Sequence, residues 1–169
     1  MLLRMISTMS KWDLNANPIQ RPDPSFPADS VTDLKTTKNK LSVWKASNED
    51  EINDAIVALA IGRNALAKLC FVYLDEEELK GMGIEAIQDE LGRVSGIDNE
   101  DILARHMNLQ HLDYKRLGEL TGYIFKQLDN KKCVYKTQKE LSTLLLEYKN
   151  KGLVLLSGVN EKLKKDLKW

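Results

Sequence analysis

The residues best suited to chemistry in this 169-residue chain are two histidines and two cysteines. His106 and His111 stand five positions apart with Asp101 and Asp113 flanking them, a set from which a metal site or an acid–base pair could be drawn. On a continuous helix, at ~100° per residue, that spacing places the imidazoles about 140° apart. They diverge unless a turn between Met107 and Gln110 brings them back. The two-histidine zinc motif needs a spacing of four with a glutamate beside the first histidine, and neither is present. Surface or capping roles are expected for both histidines, with no metal and no other cofactor.

Cys70 lies inside the apolar run Leu69 to Leu74, where cysteine behaves as a small buried hydrophobe. Cys133 follows Lys131 and Lys132, whose charges favour a thiolate, but no signature of a catalytic cysteine surrounds it. Two isolated cysteines suggest neither a zinc framework nor a disulfide scaffold, and point to a reducing, cytoplasmic setting. Gly81-Met82-Gly83 lacks the further glycine, lysine or serine of a phosphate loop, and Leu156-Ser157-Gly158 lacks the first glycine of a serine elbow. A small enzyme using His106, His111 and Asp113, with Cys133 as a thiol, is carried as an alternative reading. A weak nucleic-acid binder is another, through Lys162, Lys164, Lys165, Lys168 and Trp169. Lysines at a helix end also complement the helix's own dipole, which is the plainer account of them.

The balance of charge argues against general nucleic-acid binding, since 25 basic and 25 acidic residues cancel. The cancellation conceals a split. Residues 1–100 carry 11 basic against 17 acidic side chains, and residues 101–169 carry 14 against 8. Apolar residues make up 43% of the chain, enough for one packed core. No run approaches the ~20 apolar residues that span a bilayer. Met1 to Ile6 is too short for a secretory core and is interrupted by Arg4. Met9 opens a more ordinary start, so residues 1–8 read as an upstream start or a dispensable extension.

The elements that must position these groups follow from pattern. Pro18, Pro22, Pro24 and Pro27 exclude regular structure around them, so residues 1–29 are expected to form an extended arm with Trp12, Ile19 and Phe26 as apolar anchors. Residues 30–169 are expected to form a single α+β domain. Val31 to Leu34 and Leu41 to Ala46 read as strands; a helix capped near Ser47 carries a stripe of Ile52, Ala55, Ile56, Leu59 and Ala60; Leu69 to Leu74 is a buried strand. This strand, helix, strand unit would sit in a small sheet packed with several helices. Further helices are expected from about Asp113 to Leu128, and behind the capping box Thr137 to Glu140. Leu153 to Leu156 reads as an added strand, and Gly83 to Gly96 has no clear pattern.

With core, caps and arm legible and no catalytic motif, the sequence points to a protein whose function lies in its surface: an interaction module such as a small bacterial inhibitor, immunity protein or accessory subunit. The expected contact residues are Trp12 and Phe26 on the arm, and Glu49, Asp50, Glu51 and Asp54 at the start of one helix. The expected partner is another protein with a basic surface.

Overall fold

The computed structural model of the chain describes residues 1–12, 14, 27–34, 36, 38–88 and 96–169. In chain order these form β1 (Leu2–Ile6), 3-10 turns over Met9–Trp12 and Ala28–Asp33, β2 (Leu41–Lys45), α1 (Glu49–Ile61), β3 (Leu69–Leu74), α2 (Glu76–Gly81) and β4 (Glu85–Gln88). Then follow α3 (Glu100–Leu103), β5 (His106–Gln110), α4 (Tyr114–Asp129), β6 (Cys133–Lys136), α5 (Gln138–Asn150), a 3-10 turn over Leu156–Gly158 and α6 (Glu161–Leu167). The strands make one open sheet in the order β4-β5-β2-β1-β3-β6, antiparallel throughout. The fold is therefore α+β.

The strand, helix, strand unit is present, and its two strands share the sheet without touching. β1 lies between β2 and β3 and pairs with both, Leu3 facing Trp44 on one side and Tyr73 on the other. Each of the two is antiparallel to β1, so they run in the same direction. The opening residues, expected as part of an arm and even as dispensable, are thus an interior strand. Leu2 and Ile6 are buried on one face of the sheet and Leu3 on the other. A strand covered on both sides is a short apolar run without alternation, and at a chain end such a run looks like a tail.

Both faces of the sheet are covered. On one, Leu3, Trp44 and Phe71 pack with Ile56 of α1, Leu141 and Leu145 of α5 and Leu163 of α6. On the other, Leu2, Val43, Val72 and Leu109 pack with Leu120, Ile124 and Phe125 of α4. Helix α1 is buried over most of its surface, through Ala55 to Ala58, Ala60 and Ile61, while Leu59 is half-buried against the same core. Trp12 joins the α4 side. Its ring lies 4.9 Å from that of Phe125, it is wholly buried, and its Nε1 donates to Asp33 Oδ2 at 3.0 Å. It anchors the chain to its own core and is not a surface contact for a partner. Phe26, with Ile19, Pro18, Pro22 and Pro24, lies outside the described residues.

Asp33 also receives the amide of Ser7 at 3.0 Å, and its carbonyl oxygen accepts from Arg4 Nη2 at 3.4 Å. Arg4 Nη1 donates to the carbonyl of Ser42 at 3.0 Å. Arg4 and Asp33 are both buried. Burial holds the Arg4 guanidinium below its ordinary pKa, and the Asp33 charge opposes that shift. One carboxylate thereby ties β1, the first 3-10 turn and the second 3-10 turn together.

Three stretches differ from what the sequence pattern assigned. Val31 to Leu34 is not a strand, because Ser30 Oγ bonds the Pro27 carbonyl at 2.6 Å and Thr32 Oγ1 bonds that of Asp29 at 2.6 Å, which holds a 3-10 turn. Leu153 to Leu156 contributes a lone bridge, Val154 to Ile97, before turning again. His106 to Gln110, to which the pattern assigned no element, is a strand. The signal was there to be read, since Met107 and Leu109 pack toward α4 while His106, Asn108 and Gln110 alternate with them.

Caps set the helix starts. Asn48, one residue beyond Ser47, accepts from the Glu51 amide, while Glu51 Oε2 accepts from the Ser47 amide at 2.7 Å. Thr137 and Glu140 form the expected capping box, with the Thr137 amide and hydroxyl each donating to Glu140 Oε2 at 2.7 Å. These bonds hold the Glu140 carboxyl below its ordinary range. A carboxyl with a depressed folded-state pKa stabilises the fold above its unfolded value, about 4.3 for glutamate, and that contribution disappears as pH falls through the folded value. Denaturation by urea should accordingly find Glu140→Ala less stable than the parent at about pH 7, with the gap closing by about pH 3. A gap that is unchanged over that range would show that the carboxylate charge plays no part in the cap.

Candidate partner-binding face

Because β2 and β3 run in the same direction, the helices that follow them begin at the same end of the sheet. Helix α1 opens with Glu49, Asp50 and Glu51, and α2 with Glu76, Glu77 and Glu78. Acids are tolerated there by the positive ends of both helix dipoles. The chain enters β1 between them, and the Met1 amino group lies 3.5 Å from Glu76 Oε1.

A cavity of about 410 Å³ opens at this end, lined by Tyr73, Asp75, Glu78, Tyr123, Gln127 and Lys132 among others. Asp75 caps α2 by accepting from the amides of Glu77 and Glu78 at 2.9 and 3.1 Å, and its own amide donates to the Tyr123 hydroxyl at 2.9 Å. Burial pushes both phenols up. For Tyr73 the charges of Cys133 and Glu49 add to the effect, and for Tyr123 those of Glu78 and Asp75 do, against the Asp75 amide. Both hydroxyls therefore stay protonated at neutral pH. Two phenols, two carboxylates and one lysine are among the groups that line it.

No family model, curated protein or solved structure matches this chain. Function rests on the geometry of the molecule alone.

The acids at the start of α1 are not equivalent. Asp54 is held inside the fold: its Oδ1 accepts from the Tyr148 hydroxyl at 2.6 Å and its Oδ2 is ion-paired with Arg105. Glu51 lies 3.8 Å from the same guanidinium and holds the Ser47 amide. Glu49 and Asp50 are exposed, and among the described residues neither makes an ion pair closer than 4.0 Å. The expected contact set thus separates. Glu49 and Asp50 are exposed, Glu51 is shared between Arg105 and the Ser47 amide, and Asp54 joins α1 to α5. The α2 acids are also partly answered, Glu77 by Lys80 at 2.6 Å and Glu78 by Lys126 at 3.9 Å.

The residues of the enzyme alternative are not assembled. His106 opens β5 and His111 follows its end, so at ~3.4 Å per residue they are about 17 Å apart along the strand. His106 Nε2 lies 2.6 Å from Ser42 Oγ on β2 and its ring meets Trp44 edge-on at 5.4 Å. His111 is exposed and 3.7 Å from Glu85. Asp113 caps α4, accepting from the Arg116 amide at 2.8 Å, a bond that holds its carboxyl below the ordinary range. Cys133 lies on β6, four strands from β5, which at about 4.8 Å per strand is roughly 19 Å from the histidines. Among the described residues no cluster of His, Cys, Asp and Glu could hold a metal ion, and no helix is long and apolar enough to cross a membrane. At the C-terminus, Trp169 is half-buried under Lys149, whose Nζ is 5.0 Å from the ring centroid, and Lys164 is paired with Glu161 at 2.7 Å. The aromatic ring is already occupied where base stacking would need it.

Proposed function

We propose that this protein is an interaction module that captures a basic partner protein at the end of the sheet where α1 and α2 begin, acting as an inhibitor or accessory subunit. The observation that carries this reading is the cavity beside the start of α2, lined by Tyr73, Tyr123, Asp75 and Glu78, with the exposed Glu49 of α1 near enough for its charge to act on Tyr73. A lysine or arginine side chain is the ligand chemistry this combination suits, through carboxylate pairing and the faces of aromatic rings. Glu49 and Asp50 would steer the encounter, and the cavity would receive the anchor.

Charges at the rim of an interface act mainly on the association rate and its salt dependence. The double substitution Glu49→Lys and Asp50→Lys should slow association with the partner recovered by pull-down by about 10-fold at low salt, with the difference shrinking as salt is raised. Stability should fall by no more than about 1–2 kcal/mol, the helix-dipole cost of two lysines in the first turn of α1, which leaves the fold intact. Equal association rates for parent and variant at low salt would sink the proposal, and so would a partner whose contact surface is acidic.

A further inference from the structure

Cys70 and Cys133 are distant in sequence and adjacent in the sheet. The β3–β6 register sets Cys70 opposite Tyr135 and Val72 opposite Cys133, so the cysteines are diagonal neighbours on the face packed by α4. Cys70 is wholly buried in that core, and Cys133 and Tyr135 are half-buried against it. Diagonal partners on antiparallel strands stand about 7–8 Å apart at Cα, with their Cβ atoms closer. A disulfide requires about 4.4–6.8 Å between Cα atoms. The strand that must move is β6, four residues long and last in the sheet, and the right-handed twist of paired strands shortens one of the two diagonals.

We propose that Cys133 and Cys70 are a thiol pair that hydrogen peroxide converts into an intramolecular disulfide, joining the edge strand β6 to β3.

The chemistry of the pair supports an order of events. The neighbouring Cys70 thiol lowers the Cys133 pKa against the effect of burial. The neighbouring Cys133, with burial, pushes the Cys70 thiol up. The Tyr135 hydroxyl is buried with no other hydrogen-bond partner among the described residues, which leaves its proton for the sulfur. The pair therefore holds its first thiolate at Cys133, the member nearer solvent. That thiolate attacks one oxygen of the hydrogen peroxide; the O–O bond breaks, and the second oxygen leaves as hydroxide and takes a proton from solvent. Cys133 becomes a sulfenic acid, oxidised by two electrons as the peroxide is reduced. With the thiolate gone, the like charge that kept Cys70 protonated is removed. The Cys70 sulfur attacks the Cys133 sulfur, the S–O bond breaks, and the departing oxygen takes the Cys70 proton and leaves as water. Two thiols and one peroxide give one disulfide and two waters. None of this depends on the binding reading above.

The test is hydrogen peroxide treatment of the full chain, followed by alkylation, intact mass and peptide mapping. The expected result is loss of both free thiols, a mass lower by two hydrogen atoms, a peptide linking Cys70 to Cys133, and full reversal by dithiothreitol. In Cys70→Ser, Cys133 should be trapped by dimedone as a sulfenic acid; in Cys133→Ser, Cys70 should remain alkylatable. If either variant fails to fold, the map of the parent protein decides. Disulfide-linked dimers through Cys133, a sulfinic acid at Cys133 beside an intact Cys70 thiol, or two thiols still alkylatable after treatment would each overturn the proposal.

Discussion

Asp33→Ala is expected to cost about 2–6 kcal/mol, since two buried donors lose their acceptor and each costs about 1–3 kcal/mol. The donors are Trp12 Nε1 and the Ser7 amide. Asp33 is 5% exposed and Arg4 is 8% exposed, and the charge that favours the buried guanidinium is lost as well. Urea denaturation measures the loss directly. Asp33→Asn keeps the shape and one acceptor but removes the charge, so its smaller loss separates the hydrogen bonds from the electrostatics. A change under ~0.5 kcal/mol in Asp33→Ala, the size of a surface substitution, would mean that the Trp12 indole and the Ser7 amide find other acceptors.

Asp54→Ala should destabilise the fold by about 2–4 kcal/mol: the carboxylate makes two hydrogen bonds, each worth about 1.5–3 kcal/mol to a charged group, reduced because Arg105 and Asp54 remain partly in contact with solvent. One reaches Tyr148 on α5 and the other Arg105 just before β5. The Tyr148 phenol is driven far above its ordinary pKa, first by burial and then by its bond to Asp54, so it stays a donor at every working pH. The loss should appear in the midpoint of urea unfolding, and Tyr148→Phe should recover part of it in the double variant, because the two side chains form one contact. Strictly additive losses would refute the coupling. The same result bears on function: Asp54 is unsuited to a binding test, and Glu49 and Asp50 are the positions at which charge can be reversed without breaking the fold.

Local signals were legible where one stretch of chain contains the whole cause. Thr137 and Glu140 complete their capping box within four residues, and the stripe behind Asp113 requires only a helical period, so α4 and α5 fall where the pattern places them. The apolar run Leu69 to Leu74 coincides with β3. Where two local causes compete, the pattern misleads: Val31 favours a strand, but the side chains of Ser30 and Thr32 hold a turn.

The sequence by itself determined the fold class, the helix starts, the burial of Cys70 and the crowding of acids at the heads of α1 and α2, because each depends on residues close together in the chain. Tertiary structure alone decided the rest. Strand pairing is a choice among distant segments, so nothing local announces that Leu2 to Ile6 enters between β2 and β3, or that Cys133 comes to lie beside Cys70. Nor can charge be apportioned from sequence. Glu49, Asp50, Glu51 and Asp54 look alike until Arg105 and Tyr148, brought in from distant segments, engage two of them and leave the other two in water.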